Sequence, residues 1–186
     1  MPWRTSEFLA TWIWALPPSV ALAEAAARAL EALDGFAVAR EATVCTASDG
    51  EDAFAAELES AGAATLLAFL ERTADVELVE LGLALECAAP AGEPLRIDDG
   101  ASLALDVELD EHGRPSEDRL ARQLRFALHV DLYSPESRGA APDRALAALN
   151  GPRLRAFLER LEAALPLRFL ELEARGYSGA HRYGFG

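Results

Sequence analysis

Between Val76 and Tyr133 the sequence places an apolar residue at every second position, three times over. Val79, Leu81, Leu83, Leu85 and Cys87 form the first run, and Leu103, Leu105, Val107 and Leu109 the second. Leu124, Phe126, Leu128, Val130 and Leu132 form the third. Strand side chains alternate between two faces, so a two-residue period marks strands with one face on a core and one towards water. Three such runs joined by turn-forming segments predict an antiparallel meander, the arrangement that can keep one face wet.

The flanks supply the rest of the fold. Trp12, Ile13 and Trp14 favour an opening strand within Trp3–Leu16, and Pro17-Pro18-Ser19 reads as a helix start with Ser19 as N-cap. Leu22, Ala26, Ala29, Leu30 and Leu33 then make a narrow apolar stripe, which Asp34-Gly35 ends. Phe36 to Thr46 is a β-rich run. Ser48-Asp49-Gly50-Glu51 has the spacing of a capping box and predicts a second helix, with Phe54, Leu58, Ala61, Thr65, Phe69 and Leu70 on its face and Gly62 as a bend. Asp110–Asp118 and Ser134–Pro142 are polar and read as loops. Helix is expected again from Asp143, broken at Asn150-Gly151-Pro152 and resumed with Leu154, Phe157, Leu158, Leu161 and Leu165 in a 3.6-residue stripe. Pro166 ends it, and Leu167–Glu173 returns to strand. The near-match of Leu66–Arg72 with Leu154–Arg160 is read as coincidence in a chain rich in Ala, Leu, Glu and Arg.

The expectation is therefore a single α+β domain over residues 1–186. It has an antiparallel or mixed sheet of about five or six strands, with helices packed mainly on one face. Leu81, Leu83, Leu105, Val107, Phe126, Leu128 and Val130 should be buried with Phe157, Leu158 and Leu161.

Composition narrows the function by exclusion. All 17 basic residues are arginine. With no lysine, the usual phosphate-binding loop, pyridoxal Schiff base and kinase strand lysine are all excluded. No Gly-x-Ser-x-Gly, His-Glu-x-x-His, Cys-x-x-Cys or Gly-x-Gly-x-x-Gly occurs. Cys45 and Cys87 lack metal-type spacing and read as small hydrophobes in a reducing compartment. No cofactor is expected. The opening apolar run is broken by Pro17-Pro18, which argues against both a signal peptide and a membrane span, and a cytoplasmic bacterial protein is expected. The aromatics Trp3, Phe8, Trp12 and Trp14 fit either a ligand pocket or a core, and the core reading is preferred.

Charge gives the positive signal. Net charge is −14, yet residues 41–118 hold three arginines against 20 acids, a net −17, while residues 119–186 carry a net +4. Such an acidic middle repels nucleic acid and favours encounter with a basic protein. The expected partner-binding residues are Glu80, Glu86, Asp106 and Glu108 on the wet sheet face, with Asp110 and Glu111 in the adjoining loop. A non-catalytic module, of the kind of an immunity or antitoxin-like inhibitor or a small chaperone, fits this pattern. The alternative is a small enzyme using His129, Asp131, Asp106 and Glu108 as a metal or general-base site, since imidazole with carboxylates suits either chemistry. His112 reads as exposed and His181 as part of a docked tail.

Overall fold

The structure, a computed structural model, describes residues 5–58, 62–116, 118, 120–135, 144–174, 177 and 179–185, with backbone alone at 5–8 and 50–52. Trp3, Ala61, residues 136–143 and the side chain of Phe8 fall outside these, as do the expectations resting on them.

The three alternating runs form three successive neighbours in one antiparallel sheet, and the fold is α+β. Numbering the strands along the chain, these are β4 (Val76–Ala88), β5 (Pro94–Val107) and β6 (Arg122–Val130). Before them come β1 (Thr5–Ala15), β2 (Ala37–Thr46) and β3 (Gly50–Glu57), and after them β7 (Arg168–Glu173). The spatial order is β3-β2-β4-β5-β6-β1-β7, seven strands among the described residues against the five or six expected. A separate small hairpin, β8 (Ala180–His181) with β9 (Gly184–Phe185), closes the tail.

Helices α1 (Leu22–Ala32), α2 (Gly62–Leu70) and α3 (Arg144–Ala164) pack on the inner face. The apolar members of the runs point to them: Leu81, Leu83, Leu105, Phe126, Leu128 and Val130 are buried together with Phe157, Leu158 and Leu161. Val107 is buried as well. At the centre Phe36 stacks on Phe157 with ring centroids 4.3 Å apart, and Phe126 meets Phe157 edge-on at 4.9 Å. Trp12 packs against Phe126 at 5.7 Å. Trp12 and Trp14 are therefore core, and each finds a partner for its N–H: Trp12 Nε1 donates to the His181 carbonyl and Trp14 Nε1 to Glu162 Oε1.

Four local expectations are corrected. The Ser48–Glu51 segment does not start a helix. It leads into β3, whose Phe54 faces Val44 across the pair, and Ser48 Oγ donates instead to Asp75 Oδ2 at 2.6 Å. The Ala- and Glu-rich stretch favours helix locally, but pairing with β2 wins, and the helix waits until Gly62. A Cβ on Gly62 would stand 2.2 Å from the Glu57 carbonyl oxygen, so the close approach needs glycine. Ser19 is not the N-cap of α1. Pro17–Val20 form a turn, and Ala21 occupies the cap without a side-chain bond.

The third correction concerns Pro152, which lies inside α3 rather than at a break. Proline cannot donate to the Ala148 carbonyl, but Ala148 is exposed, so water can satisfy that oxygen. Asn150, expected as a breaker, is wholly buried and ties the helix to the end of β4. Lastly, the third run leaves the sheet at Val130, and buried Leu132 belongs to a 3-10 turn, Asp131–Tyr133.

Arginine serves this fold as a staple. Arg153 donates to the Gly35 and Glu86 carbonyls, Arg160 to those of Ala32 and Asp34, and Arg122 to those of Pro18 and Val20. The guanidinium fork bridges two acceptors at once, which a lysine ammonium does with less geometric definition.

Candidate partner-binding face

With the described helices on one side, the other side of the sheet carries the polar members of the alternating runs. Strand register arranges them in rows that cross the sheet. One row runs Thr43, Glu80, Ala104, Arg125, Ile13, Glu171; the next runs Glu41, Gly82, Ser102, Ala127, Thr11, Glu173. The middle positions of the second row are small, and charge collects at its ends.

A concavity of about 510 Å³ opens on this face. Ser102, Ala104 and Ala127 lie in its floor, and five carboxylates line it: Glu77, Glu80, Asp106, Glu108 and Glu173. Arg125 is the one cation in its lining. It holds Asp106 through two bonds, Nε to Oδ2 at 2.6 Å and Nη2 to Oδ1 at 2.7 Å. Glu80 lies in the same row as Arg125 but two strands away, about 10 Å by strand spacing, and is left to solvent. Among the described residues Glu77, Glu80, Glu108 and Glu173 have no cationic partner. Leu120, 48% exposed, stands at one end of the concavity beside Glu108 and Ala121.

Of the residues expected to bind a partner, Glu80, Asp106 and Glu108 are brought together here. Glu86 is not. It sits six residues along β4 from Glu80, about 20 Å away, opposite Arg96. Asp110 lies in the β5–β6 connection with its carboxylate turned to its own loop, accepting from the N–H groups of Arg114 at 2.9 Å and His112 at 2.8 Å. Those two bonds hold its carboxyl below the usual carboxylate range. Glu111 is exposed beside His112.

The residues of the alternative site are dispersed. His129 lies six positions along β6 from Gln123, the partner of Asp106, so about 20 Å separates the two rows. Its Nδ1–H donates to the Asp99 carbonyl at 3.1 Å, leaving Nε2 to accept from Ser102 Oγ at 3.4 Å. Asp99 has φ 52°, within a bulge that lets β5 regain register with β4. Asp131 is buried in the 3-10 turn. Among the described residues, no group of three or more His, Cys, Asp or Glu is gathered as a metal would require. Cys45 and Cys87 are both free thiols, and Cys87 Sγ lies 3.3 Å from the Tyr133 hydroxyl.

Sequence reasoning missed two of the five carboxylates of the concavity. Glu77 sits at a one-residue register shift between β2 and β4, so simple alternation assigns it to the wrong face. Glu173 arrives from β7, whose neighbour in the sheet no local pattern announces.

With this geometry in hand, comparison with known proteins finds no matching family model, no matching curated protein and no matching solved structure. No described helix is long and apolar enough to cross a membrane.

Proposed function

We propose that the protein is a non-catalytic binding module that captures a basic protein on the face of its sheet opposite the described helices. The observation that carries this reading is the concavity with five carboxylates against one arginine, four of those carboxylates lacking a cationic partner among the described residues. Like charges held this close repel each other, and a cationic partner relieves that cost while the field speeds its encounter. An immunity or antitoxin-like inhibitor of a basic toxin, acting in the cytoplasm, is the form of this activity that fits best. A small chaperone for a basic client would use the same face.

The test is affinity capture from the native host, followed by titration of the recovered protein at low and high salt. Binding should weaken as salt rises, because exposed charges are screened over about 8 Å at physiological ionic strength. It should also weaken in the Glu80→Gln, Glu108→Gln double variant. Binding indifferent to both salt and charge removal would refute the reading.

A further inference from the structure

We infer that the segment seated on this face is a basic α-helix of the partner, laid in the trough between Glu80 and Glu173. This inference rests on the reading above and makes it specific. The first argument concerns backbone hydrogen bonds. The inner strands β4, β5, β6 and β1 each pair on both sides, so the face offers an incoming chain side chains but no free backbone ladder. An extended segment docked here would leave its own N–H and C=O groups desolvated and unpaired. A helix satisfies them internally.

The second argument is size. From β4 to β7 there are four strand spacings, about 19 Å between the acidic walls. A helix with its side chains is about 10–12 Å across, which leaves room on both flanks for arginine or lysine to reach the carboxylates. The floor suits such a body, since Ser102, Ala127 and Thr11 follow one another across a single row, while Gly82 beyond them is covered by the Glu41 side chain. Leu120 at the end of the trough adds an apolar contact.

A second copy of this chain is a poor occupant. Of the four arginines in its longest described helix, α3, three are engaged at home, Arg153 and Arg160 on carbonyls and Arg155 on Glu159, which leaves only Arg144 at the helix start. One free arginine does not match four unpartnered carboxylates, so another protein is the better source of the complementary charge.

Two synthetic peptides test this with the intact protein. The first is about 18 residues, roughly 27 Å of helix, with an alanine and leucine stripe flanked by arginines. The second has the same arginines but two central alanines replaced by proline, which abolishes the helix. Fluorescence anisotropy at low salt should show the helical peptide binding at least tenfold more tightly. Ala127→Trp, which fills the floor without changing charge, should erase that advantage; Ser102→Trp serves if the first variant does not fold. Equal affinity of the two peptides, or an advantage that survives both floor variants, overturns the helix and leaves the acidic face standing. Binding of neither peptide overturns both readings.

Discussion

The carboxamide of Asn150 pairs with both backbone groups of Ala88, which donates its N–H to Oδ1 at 2.8 Å and accepts from Nδ2 at 2.9 Å. The side chain thus acts as one more rung at the end of β4, supplied by a helix. The same Nδ2 also donates to the Leu146 carbonyl one turn back, which fixes the amide orientation. Asn150→Ala would leave both Ala88 groups without partners. A loss of about 2–3 kcal/mol is expected, read as a lower urea midpoint at unchanged slope.

Phe126 contacts Trp12, Phe36 and Phe157 in one aromatic group. Truncation there removes the ring on which three others lean. Phe126→Ala should cost about 3–5 kcal/mol, and an unchanged melting temperature would contradict the placement of this face in the core.

Glycine to alanine at the start of a helix ordinarily raises stability. At Gly62 the sign should reverse, because the added Cβ meets a backbone oxygen at 2.2 Å and a backbone cannot swing aside as a side chain can. Gly62→Ala is expected to lower stability by about 1–3 kcal/mol, visible in a thermal melt.

Glu162 anchors the C-terminal hairpin. Burial works against its ionisation, but hydrogen bonds from Arg182, Trp14 and Tyr183 together outweigh that, so its carboxyl titrates below the ordinary value. A group with a depressed folded pKa contributes stability that is complete above its unfolded pKa and lost as pH falls through the folded one. Below about pH 4 the anchor should therefore weaken, with a change in Trp14 fluorescence as its bond to Glu162 goes. Glu162→Gln should remove this acid-side transition while leaving the neutral-pH spectrum shifted from the start.

Arg125 tempers the field of the concavity. Both members of its pair with Asp106 are more than a third exposed (43% and 34%, taken together), so the contribution to folding is small, within about 1 kcal/mol. Its effect on association should be larger. Arg125→Gln is expected to raise the on-rate of a cationic peptide and steepen its salt dependence, whereas Asp106→Asn should do the opposite, both by stopped-flow mixing.

The sequence was readable where one physical signal acted alone. In Leu124–Val130 the large apolar residues keep an unbroken two-residue period, and the strand and its buried face follow directly. In β5 the same signal fails before Leu103, because Asp98, Asp99 and Gly100 form the bulge and shift the phase. Residues 50–57 misled because helix propensity and strand pairing disagree there, and only the neighbour β2 decides. For the candidate face, alternation alone put Glu80 and Asp106 on one side. What it could not supply was strand order, which brings Glu173 within the same concavity and gives Arg125 to Asp106 rather than to Glu80.

Strand β1 lies between β6 and β7, so Trp12 faces Phe126 on one side and Leu172 on the other. On a ribosome adding about 5–20 residues per second, Leu172 follows Trp12 by roughly 8–30 s. Before β6 is made, β2, β3, β4 and β5 can already pair with one another, while β1 waits for β6 on one side and for β7 on the other. Trp12 and Trp14 therefore gain their first strand partner only with β6 and their second only with β7, and the order of synthesis runs against the order of closure. Emergence of β7, rather than of the meander, becomes the event that completes the sheet.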